Sequence, residues 1–146
     1  MSFYCQANAQ IQTLKDCIDI ATDFEGNEGR LLELGFDKGV SSDSLLTPFF
    51  SRTNSKDECA SHLCYQELHY YKEAKCLSMS FIEKEPYFNL KKGLMGISNQ
   101  TELEDVYVYK NFVIQFKTHL VQTEKNGKDG PLCVFREYFI IFQPFE

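Results

Sequence analysis

The C-terminal stretch that decides the fold reads FVIQFKTHLVQT over residues 112–123, EKNGKDGP over residues 124–131 and LCVFREYFIIFQPF over residues 132–145. Two runs rich in β-branched and aromatic residues flank a segment rich in Gly, Asn and Asp. This pattern is typical of a β-hairpin. The sequence therefore predicts two long antiparallel strands joined by a turn.

The register of this hairpin decides which side chains share a face. A symmetric turn places Glu124 opposite Pro131. One face is then the expected core, with the pairs Leu120–Phe135, Phe116–Phe139 and Ile114–Ile141. The opposite face mixes apolar, basic and aromatic side chains: Val113, Lys117, His119, Val121, Arg136, Tyr138, Ile140 and Phe142. A shift of one residue would scramble this segregation, which favours the symmetric register.

Length, composition and charge limit the class of protein. A chain of 146 residues with 43% hydrophobic residues predicts one domain, residues 1–146, with a substantial core. The net charge of −6 argues against nucleic acid or an anionic membrane surface as the main partner. No apolar run approaches the length of a membrane span, and the N-terminus lacks the pattern of a signal peptide. We therefore expect an intracellular protein, cytoplasmic or nuclear.

The six cysteines fit two interpretations. The favoured one is free, buried thiols in an intracellular protein, and the alternative is a secreted binding protein stabilised by three disulfides. The densest set of metal-capable residues is Cys59, His62, Cys64, His69 and Cys76. This set contains no C-x-x-C pair, and its spacings match no standard zinc site. The sequence therefore predicts no metal and no cofactor.

The rest of the chain predicts helices followed by strands. Helices are expected over residues 7–24, 30–36 and 56–64, the last after a capping box at Ser55 and Glu58, with one helical turn within residues 40–52. Strands are expected over residues 74–83 and 106–109, with a short edge strand over residues 86–90 and a loop over residues 91–99. This order predicts an α+β fold in which N-terminal helices pack on a curved antiparallel sheet that ends in the C-terminal hairpin. A cystatin-like or NTF2-like cone is the best matching shape.

No motif for nucleophilic, phosphate-binding or dinucleotide-binding chemistry is present. His119 is the best acid–base candidate, but the predicted register places no carboxylate on its face. The sequence therefore favours a protein that is not an enzyme, although it leaves an enzyme open.

The mixed face of the hairpin carries the functional prediction, because apolar patches with polar neighbours mark interaction sites. We expect a non-catalytic interaction module, a small subunit that binds another protein or a copy of itself through this face. If a helix of the same chain covers the face, the prediction fails. The alternative is a ligand-binding pocket protein, or an isomerase or dehydratase, that uses His119, Arg136 and Tyr138 together.

Overall fold

The computed structural model describes residues 11–52, 64–124 and 132–145, which form one antiparallel sheet of eight strands with three α-helices. The helices are α1 (Leu14–Thr22), α2 (Glu28–Glu33) and α3 (Lys84–Ile97). The strands are β1 (Asp37–Lys38), β2 (Leu46–Arg52), β3 (Cys64–Tyr71), β4 (Cys76–Phe81), β5 (Asn99–Gln100), β6 (Val106–Tyr109), β7 (Phe112–Glu124) and β8 (Leu132–Pro144). The predicted α+β class, with helices on an antiparallel sheet and a long terminal hairpin, is confirmed.

The sheet consists of two meanders that meet in its middle. Its strand order is β1-β2-β3-β4-β8-β7-β6-β5, so that β4 of the first meander pairs with β8 of the second. The two edge strands of the sheet, β1 and β5, have two residues each. No helix among the described residues is both long and apolar enough to cross a membrane.

The core lies between the helices and the sheet face that we call the inner face. One layer of this face runs across five strands through paired, buried side chains: Phe49, Leu68, Met79, Ile140 and Phe116. From α3, Tyr87 stacks on Tyr138 with ring centroids 4.8 Å apart. Burial of such apolar side chains contributes roughly 1.5–3 kcal/mol each to folding, so this layer is a main source of stability.

The hairpin exists as predicted, but the predicted register is wrong by one residue. Phe116 lies opposite Ile140 and Ile114 lies opposite Phe142, whereas the symmetric turn had paired Phe116 with Phe139. The physical reason is the neighbouring strand β4, whose buried side chains must share a face with those of β8. Tyr138, Ile140 and Phe142 accordingly pair with the buried positions of β4.

Residues 84–97 form the helix α3, whereas a short edge strand was predicted over residues 86–90 and a loop over residues 91–99. Pro86 lies in the first turn, where its missing N–H breaks no hydrogen bond of the helix. Tyr87, Leu90 and Leu94 are buried along one face at helical spacing. A Cβ on Gly93 would stand 3.4 Å from the methyl carbons of Leu14, an ordinary van der Waals contact, so α1 packs directly against α3 at this position.

Residues 46–52 form strand β2 where a helical turn was predicted. Phe49 points into the core while Phe50 lies on the other face. Pro48 is tolerated because its carbonyl accepts a hydrogen bond from Gly39 on the edge side of β2, so its missing N–H also lies on that side.

The remaining predicted elements fall into two groups. The first two predicted helices are confirmed: α1 is shorter than the predicted residues 7–24, of which 7–10 lie outside the described residues, and α2 begins two residues before the predicted 30–36. The strands predicted over residues 74–83 and 106–109 are also confirmed, the first over the shorter range 76–81. The capping box and the helix that follows it fall on residues 53–63, outside the described residues. Cys64, which ended that predicted helix, is the first residue of β3.

Candidate binding site on the outer sheet face

The outer face of the sheet is the face opposite the described helices. The buried residues of those helices join one core cluster with the inner-face side chains, and the alternate positions of each strand point the other way. The apolar side chains of the outer face are only partly buried: Phe50, Val106, Val108, Val113, Val121, Phe135, Phe139 and Ile141. In the described part of the chain, therefore, no helix covers the outer face, although this face carries many apolar side chains.

The structure divides the eight residues predicted to bind a partner between the two faces. Val113, Lys117, His119 and Val121 lie on the outer face, as one side of β7. Tyr138, Ile140 and Phe142 are buried in the core instead, which corrects their predicted exposure. Arg136 is exposed beyond the core on the helix side, where it donates a 3.4 Å hydrogen bond to Thr118. The one-residue shift in register accounts for this division.

The same shift separates the side chains of the predicted pocket. His119 lies on the outer face, whereas Tyr138 lies in the core and Arg136 on its exposed continuation. The shift also places Glu137 directly opposite His119, although the predicted register had left this histidine without a carboxylate on its face. The signal that could have revealed this was the alternation in β4, which fixes the faces of β8.

A groove runs along β4 on the outer face. Its floor is made by Ser78 and Ser80, because the central strand carries small side chains at these outward positions. One wall comes from β3 and the other from β8, and together the walls contain Glu67, His69, Tyr71, Glu137 and Phe139. The cavity has a volume of about 250 Å³. Of these lining residues, the sequence had identified only His69 as a candidate for function, as part of the metal-capable set. The groove itself depends on pairing between strands that are distant in the chain.

The groove is acidic. His69 Nε2 lies 3.0 Å from Glu67 Oε1, which fixes the orientation of the imidazole. The pKa of the Glu137 carboxyl lies above its ordinary value, first because burial disfavours the charged form and then because Glu67 is also negative. His119 opposes this shift. An arrangement of carboxylates, imidazoles and aromatic rings can bind a cation or transfer a proton.

The predicted zinc-capable set is only partly visible. Cys59 and His62 lie outside the described residues, and the described ones contain no group of three His, Cys, Asp or Glu arranged to hold a metal ion. His69 and Cys76 sit on adjacent strands of the outer face. Cys17 and Cys76 are free thiols.

The sequence matches no protein-family model and no curated protein, and the fold matches no solved structure.

Proposed function

We propose that this chain is a non-catalytic interaction module that binds a protein partner through the outer face of its sheet. The observation that carries the proposal is the band of partly buried apolar side chains on that face, which no described helix covers. Apolar patches with polar neighbours mark interaction sites more often than they occur by chance. In this proposal the chain is a single-domain intracellular subunit whose sheet curves like that of a cystatin-like or NTF2-like cone.

The composition of the outer face supports this function. Phe139 and Ile141 lie side by side with the polar or charged residues Gln115 and Lys117 on the paired strand β7. Aromatic and aliphatic side chains in the centre of a surface, with charged ones beside them, are typical of protein interfaces. The partner-binding set therefore keeps Val113, Lys117, His119 and Val121, and replaces the three core residues by the outward-facing side chains of β8.

Photo-cross-linking in the cells that naturally express the chain tests the proposal. A photoreactive phenylalanine analogue is placed at Val113 on the outer face and, in a control, at Leu103, which is 67% exposed in the loop that joins β5 to β6. We expect a covalent product from position 113 that is absent from position 103, and expect Ile141→Glu to reduce it while leaving circular dichroism unchanged. Equal products from both positions, or none from position 113 in a folded chain, would contradict the proposal.

The cross-linked product also separates the two kinds of partner. Its mass identifies either a second copy of this chain or a different protein, and light scattering on the purified chain measures self-association independently. Because the chain has a net charge of −6, like-charge repulsion opposes a homodimer and favours a different, less acidic protein.

A second candidate function is a ligand-binding pocket or a proton-transfer enzyme. The observation that favours it is the 3.0 Å contact between His69 and Glu67 inside the groove, since an oriented imidazole is the usual form of a general base. Native mass spectrometry of the chain isolated from its own cells would detect a retained small molecule. Ser78→Phe, which fills the floor of the groove, should then abolish its retention.

A further inference from the structure

The two long strands of the C-terminal hairpin extend beyond their neighbours in the sheet. Strand β6 pairs with β7 from Phe112 to Gln115, and the Phe116 N–H donates a further hydrogen bond of 3.0 Å to the Asp105 carbonyl. Strand β4 pairs with β8 only as far as Tyr138. In the described part of the chain, the rest of the hairpin is therefore a ribbon of two strands, which we call the arm: residues 117–124 of β7 and 132–137 of β8.

The edge of β7 that faces away from β8 continues through the arm. The backbone N–H and C=O groups of successive residues point alternately to the two sides of a strand. Because the Phe116 N–H points toward β6, the backbone groups of Thr118, Leu120 and Gln122 point to the same side, away from β8. No described strand stands on that side beyond Phe116. All three residues are exposed, Leu120 to 52%, so this edge is accessible to another chain.

This edge differs from the edges that sheets protect against pairing. Protected edges are very short, or carry prolines, bulges or charged side chains. Strands β1 and β5 have two residues each, whereas β7 has 13 and pairs with β8 without a bulge from Phe112 to Glu124. Residues 118–122, which read THLVQ, contain no proline and no Lys, Arg, Asp or Glu. A ribbon of two strands is also only marginally stable in water, so the arm gains from a third strand.

We propose that two copies of this chain pair through the β7 edges of their arms, antiparallel to each other and with a twofold axis at Leu120. Thr118 then lies opposite the partner's Gln122, and Leu120 lies opposite the partner's Leu120. The outward N–H and C=O groups of these facing residues meet as hydrogen-bonded pairs. Moving the axis by one residue in either direction would place Leu120 opposite a polar side chain, so the match of apolar side chains favours this register. An isologous contact of this kind closes into a dimer.

The charges near the edge allow this contact. In the proposed register Lys117 lies opposite the partner's Thr123, and His119 lies opposite the partner's Val121, so like charges do not face each other across the paired edges. Repulsion from the net charge of −6 opposes the dimer, but physiological salt screens exposed charges that are more than about 8 Å apart. The net charge therefore lowers the affinity of the dimer without producing a local clash. The dimer uses the strand edge, so it does not rest on the outer face or on its partner.

Concentration dependence of the purified chain tests the dimer. Light scattering between about 10 μM and about 1 mM should show the mass rising from 17.0 kDa toward twice that value. Over the same range, the amides of Thr118, Leu120 and Gln122 should exchange hydrogen at least about fivefold more slowly, since pairing protects them. A chain that stays monomeric over the whole range, or a dimer that leaves the exchange of these amides unchanged, would overturn the inference.

Two cysteine variants test the register. In the proposed dimer the two copies of residue 120 face each other with Cα atoms about 5.5 Å apart, which suits a disulfide. The two copies of residue 118 are offset by four residues along the strands, about 14 Å. Under mild oxidation, Leu120→Cys should therefore give at least about fivefold more covalent dimer than Thr118→Cys or the parent chain, whose own cysteines set the background. Equal yields from the two variants contradict the twofold axis at Leu120.

A matched pair of lysine variants shows whether the dimer forms at this edge. Leu120→Lys places two positive charges opposite each other, whereas Leu32→Lys makes the same change of charge at a side chain that is 56% exposed on α2. We expect Leu120→Lys to weaken the dimer at least about tenfold and Leu32→Lys to leave it unchanged, with circular dichroism confirming that both variants fold. If both variants dimerise like the parent chain, or both lose the dimer equally, the β7 edge is not the interface and the inference fails. If Leu120→Lys does not fold, the exchange and disulfide measurements still decide.

Discussion

Two adjacent isoleucines of β8 provide a stringent test of the fold, because they have the same chemistry and point to opposite faces. Ile140 is 0% exposed and lies in the core between Met79 and Phe116. Ile141 is partly buried on the outer face, opposite Gln115. A symmetric turn would have placed them the other way round, with Ile141 in the core. Comparing the loss of folding free energy when each is replaced by alanine therefore tests the register directly.

The expected cost of Ile140→Ala follows from its complete burial. Removing about three methylene equivalents costs roughly 0.8 kcal/mol each in transfer free energy, and the cavity that remains adds to this. We expect the free energy of unfolding to fall by about 3–4 kcal/mol. For Ile141→Ala, where solvent already reaches the side chain and no closed cavity forms, we expect a loss below about 1.5 kcal/mol.

Chemical denaturation followed by circular dichroism measures both variants against the parent chain. For a domain of this size, 3 kcal/mol corresponds to a decrease of about 6–12 °C in the melting temperature. A loss for Ile141→Ala that equals or exceeds the loss for Ile140→Ala would refute the register and, with it, the position of the groove.

Three further predictions concern groups whose environment is unusual. The buried amide of Gln66 bonds to both the N–H and the carbonyl of Ile11, so Gln66→Leu should cost about 2–4 kcal/mol in urea denaturation, and an unchanged midpoint would contradict this. The pKa of Glu137 is raised in the folded state, so its ionised form opposes folding above the ordinary value of 4.5. Glu137→Gln should therefore stabilise the chain at pH 7 by less than about 1 kcal/mol, because solvent screens the charge, and this gain should vanish below pH 4.5. Burial raises the pKa of the Cys17 thiol to about 12, whereas Cys76 is partly exposed, so iodoacetamide at pH 8 should alkylate Cys76 first, and peptide mass spectrometry should find equal labelling only in denaturant.

The hairpin was predictable because its signal is local. Residues 112–123 and 132–145 each carry many strand-forming side chains, and a turn-rich segment separates them. The register was not predictable from the hairpin alone, since each strand carries apolar side chains on both faces and either pairing leaves a plausible core. The alternation of Leu77, Met79 and Phe81 with Ser78 and Ser80 decides it, and this takes effect only once β4 is known to pair with β8.

Helix α3 was not predicted because its proline and glycines, which usually interrupt helices, were given more weight than the helical spacing of its apolar residues. Pro86, Gly93 and Gly96 read as breakers in an isolated segment, whereas Tyr87 and Leu90 already show the helical spacing. Tertiary contact reverses the local preference: the helix gains a buried face against β8 and β4, and Gly93 becomes the point where α1 approaches. The same override turns residues 46–52 into a strand, since pairing with β3 was not visible locally.

The candidate site could not be predicted from the sequence either, because it depends on pairing between strands that are distant in the chain. Its floor and its two walls come from strands that are distant in the chain, and only the observed order β3-β4-β8 brings Glu67 and Glu137 to one groove. A single residue of register decides whether Glu137 faces His119 or the opposite side of the sheet. Function on a sheet face is therefore as sensitive to register as the core is.

Two features of this groove run against what folding alone would favour. Two outward positions of the central strand β4, Ser78 and Ser80, hold serines where β-branched residues would strengthen the sheet, and burial and Glu67 both raise the pKa of the Glu137 carboxyl. Local costs of this kind concentrate at functional sites, because binding and catalysis need cavities and unbalanced charges that a structural role does not. The two costs occur in the same groove. That coincidence is the strongest reason to look for function on the outer face rather than in the core of the hairpin.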